Sequence, residues 1–315
     1  MNEKSLKFWG GNPPEWLMFN SDITSEYVKL GLWGGTHIFD VKTKTYTLDR
    51  DCGFFSNFTV QLYGIVKFIL MGYTPENLGF ILNDYEPGYN FYSDLFEIQQ
   101  EEINIFEYCS IEEIDVFMRY CEPSHLGLGR KKEDINYKII NAIIDKYFRL
   151  SDSSKKIYDE IITKYDFDFD NTTFIWARKT DKVSETSVPS AETYYKILSE
   201  NNLLNTKIIL QTDDLSVIKE FDNLKISYDT LDELPYSENN EGFHVNIKNI
   251  SNEDFEKKYG VTKLQHLQKL LSLAMIASKF KNVIIYPGNL ASVIPIFRKN
   301  FNNVYSFINS TNLIS

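Results

Sequence analysis

The second half of the chain alternates short apolar runs with amphipathic stretches, and few folds accept that rhythm. TTFIWAR (172–178), KIILQT (207–212), LKISY (224–228) and NVIIY (282–286) have the length and apolar density of buried strands. SAETYYKILSENNL, DDLSVIKEF and a long segment over 262–280 lie between them, each with apolar residues at helical spacing. PGNLASVIPIFRKN follows the last strand as a further helix. Parallel strands need crossover helices, and those helices cover both faces of the sheet. The order therefore predicts a doubly wound α/β domain, whose ligands sit at the carboxyl ends of its strands.

The first half has a weaker rhythm. Residues 1–50, rich in Gly, Trp and Thr, read as irregular chain. GFFSNF (53–58) reads as a loop, since Gly53 and Asn57 tolerate unusual backbone angles. Phe58, Leu62, Ile65, Val66, Ile69 and Leu70 then predict a helix that Gly72 closes and Pro75 keeps from resuming. LGFIL (78–82) reads as a buried strand, which makes this region α/β as well. Residues 83–130 are aromatic and mixed, with YEPGYNFYSDLFEI a loop holding a short strand or helix. Helical patterns return over 134–149 and 151–165, with Ser151 a candidate N-cap for the second. DFDFDN (166–171) reads as a polar hinge, which divides the chain into domains at 1–168 and 169–315.

A chain of 315 residues has room for two domains. Its formal net charge of −11 suits neither nonspecific nucleic-acid binding nor an anionic membrane. Any phosphate it binds must be met by a local cluster of cations. Cys52, Cys109 and Cys121 form no CxxC, which reads as buried thiols in a reducing compartment. His37, His125, His244 and His266 are scattered and form no metal motif. MNEKSLKFWGGNPPEW lacks the apolar core of a signal peptide, and no apolar run approaches the ~18–20 residues of a spanning helix. The expected setting is cytoplasmic, with no membrane span.

Three strand ends carry the chemistry. After FIWA come Arg178, Lys179, Thr180, Asp181 and Lys182; after KIIL come Gln211, Thr212, Asp213 and Asp214; after NVII come Tyr286, Pro287, Gly288, Asn289 and, a turn later, Ser292. In a parallel sheet these ends share one edge. A guanidinium with an ammonium clamps a diphosphate, and Gly288 lets backbone and helix amides approach the same anion. Gly53 stands similarly before a helix in the first half. Together these features describe a nucleotide-sugar site. Each also has a plainer reading. Arg178 with Asp181 makes a strand-end ion pair, Asp213 or Asp214 a helix N-cap, Glu185 a solvated carboxylate, Gly288 a turn, and Trp176 a core side chain.

WARKTDKV (176–183) resembles the HVRRTDKV motif of the α1,6-fucosyltransferases and their nodulation homologues, and more distantly the protein O-fucosyltransferases. ILQTDDLSVIKEF resembles that family's ATDDPxxxxE, GFH (242–244) its GLH, and CGFFSNFTVQL its CGxGxxLH loop, in the same order from Cys52 onward. The resemblance implies the GT-B fold, two facing Rossmann-like α/β domains, with the first on the acceptor side and the second binding the donor. It implies inversion at the sugar without a metal or other cofactor, and GDP-fucose as donor. By position, Arg178 matches the essential arginine on the β-phosphate and Lys179 stands for a second arginine. Asp181 and Lys182 match directly, and Asp213 and Asp214 match the TDD pair. Glu185 lies one position from the glutamate implicated in taking the acceptor proton, with Asp181 in reserve. Asn289 or Ser292 replaces serines near the diphosphate, and Gly53, Asn57 and His244 fall in the remaining donor motifs. Trp176 replaces the histidine that holds guanine, and no aspartate follows Asp254 to read the base, so Gln265, His266 or Gln268 is left for that role. Two further readings stay open: a non-catalytic nucleotide- or glycan-binding relative, and a glycosyltransferase using a different NDP-sugar. The acceptor, the linkage and the oligomeric state are not fixed by the sequence.

Overall fold

A computed structural model of the protein describes residues 21–32, 35–70, 72–99, 137–179, 189–237, 243–286, 288–300, 302–309 and 312–314. The chain divides into two compact units, and among the described residues the division falls between Ser151 and Asp152.

The first unit is built on a five-stranded sheet. Strands β1 (Ser21–Ile23), β2 (Tyr27–Leu32), β3 (Gly35–Asp40) and β4 (Thr45–Asp49) form an antiparallel meander. β5 (Asn77–Phe80) adds parallel to β4 after the crossover helix α1 (Phe54–Leu70). Residues 21–49 are thus four strands where irregular chain was expected. In β3, His37 and Phe39 point inward while Ile38 is only half-buried, so the apolar alternation that marks a strand is blurred. The turns joining β1 to β4 are too short for crossover helices, so this sheet is mixed and not doubly wound. The expectation of a Rossmann-like first domain is corrected to that extent.

Helix α1 is buried along most of its length. It crosses the sheet where His37 Nδ1 and Tyr46 Oη meet at 2.8 Å, both sealed from solvent. Burial pushes the Tyr46 phenol well above its ordinary pKa. Gly64 makes this crossing possible: a Cβ there would stand 2.0 Å from Tyr46 Oη and 2.6 Å from His37 Nδ1. At the far end, the amide of Gly72 (φ 87°) donates to Ile69 O and that of Tyr73 to Phe68 O, a Schellman closure of the helix. The unit is completed by α2 (Tyr92–Leu95), β6 (Phe96–Glu97), α3 (Tyr137–Tyr147) and β7 (Arg149–Leu150), with β6 antiparallel to β7.

The second unit opens with α4 (Asp152–Tyr165), then β8 (Thr172–Ala177), α5 (Ala191–Glu200), β9 (Lys207–Thr212), α6 (Leu215–Asn223) and β10 (Asp229–Thr230). The chain continues through α7 (Phe243–Lys248), α8 (Asn252–Tyr259), α9 (Lys263–Ala277), β11 (Asn282–Ile285), α10 (Asn289–Arg298), β12 (Val304–Asn309) and β13 (Asn312–Ile314). The strand order is β10-β9-β8-β11-β12-β13, parallel throughout except for β13. This is the doubly wound sheet expected of this half. LKISY is not itself a strand, because pairing with β9 is confined to Asp229 and Thr230. The chain builds outward from β8 through β9 and β10, then returns to the other side of β8 for β11 and β12. The order therefore reverses between β8 and β11.

The division falls before α4, whereas the sequence placed it at 168. Three contacts hold α4 and the DFDFDN segment in the second unit. Gln268 Nε2 donates to Ser153 Oγ at 3.0 Å. Lys164 bridges Asp232 and buried Glu233 at 2.7 Å each. Phe167 and Phe169 pack their rings on Phe280 at 5.3 and 4.9 Å. The alternating Asp and Phe of DFDFDN are therefore an outside and an inside, not a hinge.

Candidate functional site

The reversal of strand order puts two chain exits side by side. β8 pairs with β11 up to Trp176 and Ile285, and the amide of Tyr286 then donates to Trp176 O at 3.0 Å. Immediately beyond lie Arg178 on one strand and Gly288 on the other. A crevice at this switch point is where doubly wound sheets bind ligands.

Arg178 is held from the next strand over. Its Nε lies 3.1 Å from Asp213 Oδ2, and both side chains are about one-fifth exposed (21% and 20%). Asp213 follows β9 directly, and its carbonyl accepts from the Ser237 amide at 2.7 Å. Asp214 has a different task. It is the N-cap of α6, its Oδ1 accepting from the Ser216 amide at 2.7 Å. Thr212 Oγ1 accepts from the Asp214 amide at 3.1 Å and sets the turn. The TDD triplet thus divides into turn, cation partner and helix cap.

Lys179 turns elsewhere. Its ammonium pairs with Glu220 on α6, and Glu220 Oε2 also accepts from the Ala191 amide at 3.4 Å. The expected second cation on a diphosphate is therefore engaged on the α6 side of the sheet. Its partner is the glutamate that ends the TDDLSVIKE motif; nothing in the sequence showed which cation it would meet.

Gly288 is the N-cap of α10, with φ 154° and ψ −178°, a backbone region essentially reserved for glycine. A Cβ there would also stand 2.8 Å from the Tyr286 ring. Gly288 has no side chain with which to cap α10, and the helix begins directly beyond β11, so its first amides and the positive end of its dipole stand at the switch point. Asn289 is the first residue of that helix and is half-buried. Ser292 falls within it, but its side chain lies outside the described residues, as does that of His244 in α7. Asp181, Lys182 and Glu185 also lie outside the described residues.

Several other expected site residues have structural duties. Trp176 is a buried member of β8, 6.0 Å from the ring of Phe174, which stacks in turn on Phe280. Gln265 completes a capping box with Thr262 at the start of α9. His266 is enclosed by Phe243 and Phe255 at 4.7 and 5.9 Å. Burial, aided by nearby Lys269, pulls its pKa down to about 3. Gln268 binds Ser153 as described. The three candidates for reading a base are thus a cap, a packing residue and a helix-to-helix tie.

In the first unit the GFFSNF reading is corrected. Gly53 precedes α1 and its carbonyl accepts from the amides of Ser56 and Asn57, so the segment forms the first turns of the helix. Gly53 is not among the residues with positive φ, and a Cβ there would meet nothing within 4 Å. Asn57 is buried inside α1, its Nδ2 donating to Arg50 O and Cys52 O at 3.2 and 2.9 Å. It braces the 50–52 turn.

Among the described residues no group of three or more His, Cys, Asp or Glu side chains is placed to hold a metal ion. No described helix is long and apolar enough to cross a membrane.

The molecule is thus an α/β protein whose second unit gathers a fixed guanidinium and a glycine-led helix N-terminus at the switch point of a parallel sheet. No family model and no curated protein matches the chain. Among solved structures it is similar to the crystal structure of NodZ alpha-1,6-fucosyltransferase soaked with GDP-fucose, at 12% identity and a TM-score of 0.47, over 84% of this chain and 97% of that one. A likeness at that level does not establish a family, so the functional reading rests on the strand ends and their motifs.

Proposed function

We propose that the chain is a glycosyltransferase that binds a nucleoside-diphosphate sugar at the carboxyl edge of its second unit and transfers the sugar to a glycan hydroxyl. The observation that carries the proposal is the pairing of Arg178, held by Asp213, with the Gly288-led N-terminus of α10 across the β8–β11 switch point. A diphosphate fits both partners: the guanidinium gives it a planar fork of donors and the helix gives it amides. The cation gains most from the charge that develops as the diphosphate departs, which is how such a group accelerates transfer. The WARKTDKV and QTDDLSVIKE motifs support a fucosyltransferase-like reaction, inverting and metal-independent, with GDP-fucose the first donor to test. In that scheme Glu185, or Asp181, takes the acceptor proton and Lys182 adds positive charge beside Arg178. The expected setting is cytoplasmic.

A second reading keeps the reaction and changes the donor. The duties found for Trp176, Gln265, His266 and Gln268 favour it, since none of the four is left to read guanine. Donor consumption should be followed for GDP-fucose, GDP-mannose and UDP-sugars, with wild type and Arg178→Ala. Release of one nucleoside diphosphate that disappears in the variant supports the enzyme and identifies the donor. Binding without release by any donor would mark a non-catalytic relative.

A further inference from the structure

We propose that Glu220 is a positioning residue for the donor clamp, acting through Lys179 to decide which of two neighbouring cations faces the ligand; this rests on the donor-site reading above. Glu220 sits on α6, seven positions after Asp213 in sequence. Its carboxylate takes the Lys179 ammonium and, at 3.4 Å, the Ala191 amide. Lys179 is the second residue beyond β8 and Ala191 the first of α5, so one side chain joins the two ends of the β8–α5 connection.

The alternation of β8 explains why this matters. Ile175 and Ala177 pack in one cluster with Ala191 and Tyr194 of α5 and Val217 and Phe221 of α6. Lys179 continues that face and ends on Glu220. Arg178, the intervening residue, pairs instead with Asp213 at the end of β9. Two adjacent cations are drawn to two separate carboxylates, which fixes the twist of the chain as it leaves the strand. A slip of one residue exchanges the faces. It would present the ammonium to the ligand and turn the guanidinium toward α6. The two are not equivalent, since only the guanidinium offers a planar, bidentate fork to a phosphate. The Lys179 and Glu220 side chains are 31% and 32% exposed. A pair so exposed adds little to global stability. Its effect belongs in ligand affinity.

The test is calorimetric titration of GDP, or of UDP or ADP where wild type binds that instead, into wild type, Glu220→Gln, Lys179→Met and the double variant, with the unliganded melting midpoint of each; the expectations are given for GDP and hold for whichever diphosphate binds. Glu220→Gln keeps the shape and an oxygen for Ala191 but releases Lys179. Each single change should weaken GDP by about fivefold, and the double change by about fivefold again in total, since both break one interaction. Midpoints without ligand should stay close to wild type. Exchanging the pair, Lys179→Glu with Glu220→Lys, should recover most of the lost affinity. Unchanged GDP affinity in Glu220→Gln would overturn the inference. So would single losses that multiply in the double variant, because Lys179 would then be touching the ligand itself. A wild-type protein that binds no nucleoside diphosphate would instead overturn the donor-site reading, and this inference with it.

Discussion

In the first unit, His37 and Tyr46 satisfy each other at 2.8 Å deep in the core, beneath a helix glycine. In the second, Arg178 and Lys179 leave the sheet at its carboxyl edge and are held by Asp213 and Glu220. The first arrangement consumes its polar groups in packing, whereas the second fixes a cation without burying it. A buried polar pair specifies how a helix lies on a sheet. A braced cation at a strand end instead specifies the direction in which the chain leaves the sheet. The glycines follow the same division: Gly64 makes room for side chains, and Gly288 makes a backbone turn at the edge.

The sharpest way to break this comparison is Gly64→Ala. With Tyr46 Oη only 2.0 Å from the added carbon, the helix must move off the sheet. The expected cost is about 3 kcal/mol or more, read from urea unfolding. Unchanged stability would mean that the His37–Tyr46 crossing does not set the packing. Gly288→Ala should cost about 2 kcal/mol, because its φ of 154° is strained for any side chain. Unlike Gly64→Ala, it should also weaken the response to a nucleoside diphosphate. Loss of stability with full ligand response would remove Gly288 from the site.

His266 tests the claim that a suspected base reader is a packing residue. Its folded pKa of about 3 lies below the unfolded value of about 6.5, so the unfolded chain binds a proton first as pH falls. Stability from this neutral, buried ring is complete above pH ~6.5 and declines steadily toward pH ~3, amounting to about 2 kcal/mol by pH ~5. His266→Leu should flatten the stability profile between pH ~7 and ~5 by that amount. Identical profiles would show that the ring titrates as an exposed histidine does. Asp214→Ala removes the α6 cap and should cost about 1 kcal/mol with little effect on ligand affinity, in contrast to Asp213→Ala. Smallest of all, Gly53→Ala should fall within about 0.5 kcal/mol of wild type, since the added carbon meets nothing within 4 Å.

Much of the second unit could be read from the sequence because its signals are local. Each strand and the cations after it occupy one short stretch, and a parallel sheet brings such ends to one edge whatever the details. Thr262 and Gln265 likewise mark the start of α9 within four residues. The remainder depended on partners far apart in the chain. Nothing near Lys179 indicates Glu220, 41 positions on. The four strands over 21–49 have a blurred sequence signal, since His37 faces inward against the hydrophobic pattern. β12 and β13 lie beyond the last helix, where the sequence reading predicts no strand. Residue type alone points to a loop at Gly53 and Asn57, yet Asn57 is a buried helical residue that binds the preceding turn. The contacts of Gln265, His266 and Gln268 are hidden for the same reason: a His or Gln on a helix looks available until its neighbours in space are known.

The central claim is that Arg178 is the anchor of a diphosphate site. It is tested most directly by the melting midpoint of wild type and Arg178→Ala with GDP, UDP, ADP and their sugar derivatives, since a ligand of the folded state raises the midpoint by mass action. The account predicts that one nucleoside diphosphate and its sugar raise the wild-type midpoint, and that Arg178→Ala folds but loses the response. An equal response in Arg178→Ala, or none from wild type with any of these ligands, would contradict it.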